Sequence, residues 1–409
     1  MRQFALTLIA QVKDNGLEPL RQVLKNRETA LMQALGGIGT IHYARWVIIE
    51  PSDGYKAVLA FASNYDGHLD THIKDLVGAL GPLLDDIYTH CEDYTPADKT
   101  SYLLNIRHEE AAFYQGSPGR TVATIAQEKA LRDRLVRAVE AGNWTGKTAK
   151  QIHAAVKQEV LGEPAFAWAK DRLKTPGVNY LVLSLLVILL LLVLPLTILL
   201  LAVFALWAVY MQFFHEIFDE PGTTTPNQVS DHLIAENVRA EDYSYQNQFS
   251  QIMLMKPGPA RLFTLNLFFF LTRILIRLYF VKGKLLGIPT IHFARWVLLD
   301  DNKRLLFFSN FDGSWTQYLG DFIDKAGWGL NAIFGNTQVF PRIWFFFWRG
   351  AYNEMDFLGW SRSTQIPTQI WYAASVDQSI KNINDNTITR NALSRDLSER
   401  QAQQFLAGL

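Results

Sequence analysis

The chain has 409 residues, with 39 basic against 39 acidic side chains and therefore no formal net charge. Its length exceeds what one hydrophobic core organises, and the lack of any long basic run removes the electrostatic footprint that DNA or RNA binding requires. A single cysteine, Cys91, excludes an intramolecular disulfide and any cysteine-held zinc or iron–sulfur centre within one chain, and it fits a reducing compartment.

The opening segment MRQFALTLIAQVKDNG has no apolar core followed by a small-residue cleavage site, so secretion by a cleaved signal is not expected. Phe4 to Val12 reads as a strand, and Leu17, Leu20, Val23 and Leu24 begin a helical pattern that runs to Ala34. Ile41 to Ile49 and Ala57 to Ser63 are apolar, β-branched or aromatic runs. Between them Glu50-Pro51-Ser52-Asp53-Gly54 supplies turn chemistry, which predicts a hairpin. Leu69, Ile73, Leu76, Val77 and Leu80 keep helical spacing behind Asp66-Gly67, which stands where a helix cap belongs. Ser101 to Arg107 is read as a strand, which completes the order βαββαβ.

Gly37 to Ile49 (GIGTIHYARWVII) returns as Gly287 to Leu299 (GIPTIHFARWVLL), and the element order returns with it. Phe249–Met255, Ile291–Leu299, Leu305–Ser309 and Gln369–Val376 read as strands, and Arg261–Phe280 and Trp315–Lys325 as helices. Gln248-Phe249 matches Gln3-Phe4 at the strand openings. The expected division is a first repeat over 1–140, a helical linker over 141–179, a membrane segment over 180–214, a linker over 215–245 and a second repeat over 246–400.

From Leu181 to Met211 no residue is charged. One straight helix over Tyr180–Phe214 would be about 50 Å long against a hydrocarbon core of ~30 Å, and Pro195 lies in the middle of the run. A single crossing would also separate the repeats by a bilayer, whereas two short arms return the chain to its starting side. A transmembrane or re-entrant helical hairpin is preferred over one span. Lys170, Arg172 and Lys174 before the run place the repeats on the cytoplasmic side by the positive-inside tendency.

The copies differ where membrane contact would matter. The first helix of copy one carries Glu18, Arg21, Lys25 and Arg27, whereas its counterpart, Leu262 to Phe280, is apolar nearly all round until Arg273 and Arg277. Copy two also has an insertion over 327–360 containing Ile343-Trp344-Phe345-Phe346-Phe347-Trp348-Arg349, a composition that suits an interfacial anchor. An ordinary buried core or an oligomer contact is the alternative for these residues.

The βαββαβ order is the ferredoxin-like arrangement, in which both helices cover one sheet face and the other face needs a partner. The fold class expected is therefore α+β, with two such repeats packed as a pseudo-dimeric α/β barrel. On element order and duplication the chain resembles the dimeric α/β-barrel superfamily, whose duplicated members include the dye-decolourising peroxidases and the chlorite dismutases. Both are haem proteins, so the resemblance implies haem as the cofactor and a peroxidase-like oxidoreductase as the activity. SNYDG (63–67) and SNFDG (309–313) keep the Asp-Gly of the peroxidase signature Gly-x-x-Asp-Gly and place Ser63 and Ser309 where it has glycine.

The candidate site residues are the polar ones found in both copies: His42 and His292, Arg45 and Arg295, Asp66 and Asp312. A histidine ligates haem iron or moves protons near neutral pH, and an arginine with an aspartate polarises a peroxide or holds a carboxylate. His292 is the first choice for a cofactor ligand. Equally, the Asp-Gly pairs suit caps of the helices that follow, and each histidine suits a structural hydrogen bond. Strand alternation places His42, Ala44 and Trp46 on one face and Tyr43, Arg45 and Val47 on the other, so histidine and arginine are expected in different layers. His68 and His72 are one helical turn apart and are read as a solvated helix face. No phosphate-binding loop, zinc-protease, nucleophile-elbow or dinucleotide motif occurs. Three functions stay open: a membrane enzyme acting on a lipophilic small molecule, a non-catalytic lipid-binding or scaffold protein, and an assembly partner for another membrane protein or a second copy of the chain.

Overall fold

A computed structural model describes residues 2–220, 222, 229–239, 241, 244–281 and 285–409. Within the expected 215–245 linker, residues 221, 223–228, 240 and 242–243 lie outside the described residues. The fold is α+β with antiparallel sheets. Strands β1 (Gln3–Gln11), β2 (Ile41–Ile49), β3 (Val58–Asp66) and β4 (Arg107–His108) form one sheet together with the late strand β11 (Ile370–Ala373). β5 (Glu110–Gln115), β6 (Gln246–Leu254), β7 (Ile291–Leu299) and β8 (Arg304–Asp312) form the other, and β9 (Ile343–Trp344) and β10 (Trp348–Arg349) make a small hairpin.

Strand order is β11-β2-β3-β1-β4 in the first sheet and β5-β7-β8-β6 in the second. Each half therefore gives an edge strand to the other's sheet: Trp371 pairs with Arg45, and Phe113 pairs with Arg295. Before crossing, each chain segment touches its own first strand, His108 against Thr7 and Gln365 against Gln251. The strand expected over Ser101–Arg107 is instead helix α3 (Lys99–Asn105), started by Asp98, whose side chain accepts from Ser101 N at 3.1 Å. The strand expected over Gln369–Val376 is β11, in the sheet of the opposite half.

Helices α1 (Leu17–Ile38) and α2 (Leu69–Tyr88) cover the outer face of the first sheet, with Leu20, Leu24, Ile73, Leu76 and Leu80 packed on Trp46 and Phe61. The inner faces of the two sheets meet through Val47, Ile49, Ala60, Val297, Leu306 and Phe308. Both faces being covered explains why β2 and β3 are buried along their whole length and read as near-continuous apolar runs. Helices α4 (Val122–Ala141), α5 (Ala149–Gly162), α12 (Ile380–Leu393) and α13 (Glu399–Ala407) build a separate cluster around Leu131, Val156, Leu393 and Phe405. Residues 141–179 are thus partly core rather than a free linker.

The apolar stretch forms helices α6 (Tyr180–Leu192) and α7 (Leu194–Phe214). A hairpin between helices needs a loop of about 2–5 residues, yet only Val193 lies between them. Helical bonds continue on both sides, Val193 N to Leu189 O and Thr197 N to Val193 O, each at 3.0 Å. The two helices meet at a break with no loop: Pro195 has no N–H to give the Leu191 carbonyl, and Thr197 Oγ1 donates to the Leu190 carbonyl at 3.0 Å. Both ends of the stretch are fixed to the folded body. Leu173 N donates to Asn391 Oδ1 at 2.9 Å on one side. On the other, Glu216 bonds Arg261 at 2.7 Å and Lys256 at 3.1 Å, with Phe345 N on Gln212 Oε1 at 2.8 Å.

Helix α8 (Asp231–Arg239) follows, and α9 (Pro259–Leu278) and α10 (Trp315–Phe334) cover the second sheet. Among the described residues two helices, over Leu194–Phe218 and Pro259–Leu278, are long and apolar enough to cross a membrane. The 327–360 insertion begins as the end of α10, continues through the β9–β10 hairpin and ends in α11 (Glu354–Thr364). Its aromatic run divides: Ile343 and Phe346 enter the core, while Trp344 and Trp348 are 42% and 59% exposed.

Candidate functional site

The repeated polar residues lie between the sheets, where backbone geometry and not alternation decides their direction. A β-bulge at His42 and another at His292 break the register between β2 and β3 and between β7 and β8. The extra residue re-aims the strand end. As a result the His42 ring packs 5.4 Å from Phe293 and the His292 ring 5.5 Å from Tyr43. Histidine, tyrosine and arginine therefore share the inner layer, which corrects the expected separation.

Each histidine is paired with its own aspartate, His42 Nε2 to Asp66 Oδ1 at 3.0 Å and His292 Nε2 to Asp312 Oδ1 at 2.7 Å. The second carboxylate oxygen accepts from a helix start: Val122 N reaches Asp66 Oδ2 at 2.8 Å, and Ile380 N reaches Asp312 Oδ2 at 2.7 Å. Both aspartates do serve helix N-termini, where free N–H groups and the dipole favour a carboxylate. The helices are α4 and α12, however, not the ones that follow in sequence. Those begin at His68, whose side chain makes no cap bond, and at Ser314, whose Oγ accepts from Gln317 N at 3.3 Å.

Arginine joins the sheets. Arg45 Nη1 donates to Phe249 O at 2.9 Å and Ser250 Oγ at 3.0 Å, and Nη2 to Ser309 O at 2.9 Å and to Asn310 Oδ1. Arg295 makes the mirror set, Nη1 to Leu6 O at 2.7 Å and Thr7 Oγ1 at 3.2 Å, and Nη2 to Ser63 O at 2.7 Å. Burial holds Arg45 down to about 9 and Arg295 to about 10, with the neighbouring Arg295 charge also acting on Arg45. Both still carry a charge near neutral pH, and carbonyl dipoles solvate it in place of water.

Strand register aligns Gln3 with Gln246, because they stand opposite Asp66 and Asp312. The match of Gln3 with Gln248 is thus two residues out. Gln3 Nε2 donates to Arg120 O at 2.6 Å, and Gln246 Nε2 to Ser375 O at 2.8 Å and to Gln378 O, so each glutamine ties the exchanged segment to the first strand. Sequence reasoning missed these two, and a glutamine opening each first strand was the available signal.

His292, the expected cofactor ligand, has no free approach for haem iron at Nε2. His292 is 1% exposed, its Nε2 is held by Asp312 and its ring lies against Tyr43. No group of three potential metal ligands occurs among the described residues. His72, expected on a solvated face, is buried: it stacks on Tyr65 with centroids 3.7 Å apart, bonds Ser63 Oγ at 2.8 Å, and burial lowers it to about 3. Tyr318 occupies the mirror place, stacked on Phe311 at 3.8 Å and bonded to Ser309 Oγ at 2.7 Å.

A cavity of about 330 Å³ lies elsewhere, on the outer side of the second sheet. Leu201 and Phe204 of α7, Phe268, Leu271 and Leu275 of α9, and Phe322 and Ile333 of α10 wall it, with Trp296 and Phe334 at its base. Among the described residues, no charged side chain lines it. The Trp296 indole N–H, a donor at this wall, has no partner among the described residues. Such a cavity can take an apolar body but offers no general base, nucleophile or metal ligand. No protein-family model, curated protein or solved structure matches this chain.

Proposed function

We propose that the protein is a membrane-seated binding protein that holds a lipophilic small molecule or acyl chain in the cavity under α7 and α9. The observation that carries this reading is that the two helices apolar enough for a bilayer are also two walls of the apolar cavity. A ligand arriving from the hydrocarbon phase could reach it without crossing water. Leu185 to Leu201 expose nearly every apolar side chain, and Phe263, Phe270, Trp344 and Trp348 extend that surface. Contiguous apolar surface on this scale points to a membrane or a protein partner.

In this reading both ends of the apolar stretch stay with the body, so the chain dips into one leaflet from one side. Lys170, Arg172 and Lys174 favour the cytoplasmic side for that body. The two halves are two copies of one βαββαβ unit that exchange edge strands, and the repeated His, Arg and Asp hold the pair together rather than carry out chemistry. Tryptophan quenching by a pyrene-labelled fatty acid, measured on detergent-solubilised protein, tests the cavity. Saturable quenching that Thr272→Trp abolishes is expected, while quenching unchanged by that substitution would remove the reading.

A further inference from the structure

A second cleft, of about 830 Å³, opens on the other side of α9. Thr272 and Leu275 of this helix line the apolar cavity, whereas Arg273, Ile276 and Arg277 line the cleft. The two spaces meet at Phe280, which lines both. Across from the helix, Arg2 and Gln3 of the first half complete the cleft, and Pro176, just before the apolar stretch, closes its side.

The charges are unbalanced. Arg273 and Arg277 are exposed and one helical turn apart, and neither has a carboxylate within ion-pair distance among the described residues. Arg2 lies 5.3 Å over the Phe4 ring and is likewise without an acidic partner there. The only acidic side chain lining the cleft among the described residues is Glu110, whose carboxyl burial pushes up and the nearby Arg295 pulls down. Three guanidinium groups thus face one carboxylate. The negative end of the α9 dipole opposes an anion here, but it amounts to about half a charge. Gln3 is 1% exposed and its Oε1 has no hydrogen-bond partner among the described residues, an acceptor that a hydroxyl on the head could satisfy.

We propose that this cleft binds a phosphate-type anion, presented as the head of an amphiphile whose chain occupies the adjoining cavity. Guanidinium forks match phosphate oxygens, and arginines at a bilayer surface draw anionic lipid. The proposal rests on the membrane reading above. It adds that the ligand has one charged end, and that α9 separates head from tail around Phe280.

Vesicle flotation of the full chain separates the two ideas. Binding to phosphatidylcholine vesicles tests membrane seating alone, and binding to vesicles containing phosphatidylglycerol tests the cleft. Wild type should prefer the anionic vesicles, and R273Q/R277Q should reduce that preference by roughly 20-fold while leaving phosphatidylcholine binding intact. Isothermal titration with inorganic phosphate then identifies the source of the anion. Heat from wild type and none from the double variant, without a vesicle preference, would assign the cleft to free phosphate. If the variant matches wild type in both arms the anion site is overturned, whereas loss of phosphatidylcholine binding by wild type would overturn the membrane reading instead.

Discussion

The two halves meet in a shared inner layer and differ in their outer ones. Between the sheets, Arg45 and Arg295 bond equivalent carbonyls, and both aspartates cap the helix that follows an exchanged strand. Outside, α1 and α2 close directly over the first sheet in one apolar cluster, while α9 and α10 stand apart over the second and leave a cavity that α7 covers. Repeated residues such as Arg45 and Arg295 lie at the joint between the sheets, and the helices that differ between the copies border the cavity on the second sheet. Duplication thus leads the eye first to the structural residues.

The sharpest way to break this comparison is to remove one arginine. Arg45→Ala removes the guanidinium that joins the Ser309 and Phe249 carbonyls to the other sheet and leaves a buried void, and it should lower unfolding free energy by about 3 kcal/mol or more, as should Arg295→Ala. Chemical denaturation of the two variants should give equal losses. A large loss for one and none for the other would end the symmetric account.

His72 offers the next largest effect, because only the first half has a titrating group at that place. Its pKa is lowered by burial from 6.5 to about 3, so the neutral form belongs to the folded state. Stability is complete above the unfolded value and falls as pH drops below it toward the folded value, by roughly 2 kcal/mol at pH 5. Thermal melts across this range should show the fall in wild type, and His72→Phe should flatten it. Smaller still is Asp312→Asn, which weakens the bonds to Ile380 N and His292 and should destabilise by about 1 kcal/mol, with Asp66→Asn matching it. Faster amide exchange at the start of α12 should accompany the first and not the second.

Local pattern made β2 and β7 legible to the residue, because a nine-residue apolar run bounded by Gly and turn residues leaves little choice. It failed at Ser101–Arg107, where Asp98 three residues before Ser101 was a readable cap. The exchange of β5 and β11 was illegible in principle, since nothing in a strand's own residues names its neighbour. Alternation misplaced His42 and His292 because one bulge residue inverts the faces beyond it. The Asp-Gly pairs were read correctly as caps but assigned to the nearest helix, and their true target lies 56 residues on for Asp66 and 68 for Asp312. Apolarity of 180–214 and its interruption near Pro195 were plain, while its attachment at Glu216 depended on tertiary partners.

Placing the apolar cavity on the second sheet and not the first is the claim most open to direct measurement. Native mass spectrometry of the full chain released from detergent, comparing wild type, Thr272→Trp and His72→Phe, puts the two halves against each other. A lipophilic adduct retained by wild type and His72→Phe and lost from Thr272→Trp is the predicted result. An adduct that survives Thr272→Trp, or disappears from folded His72→Phe, would contradict it.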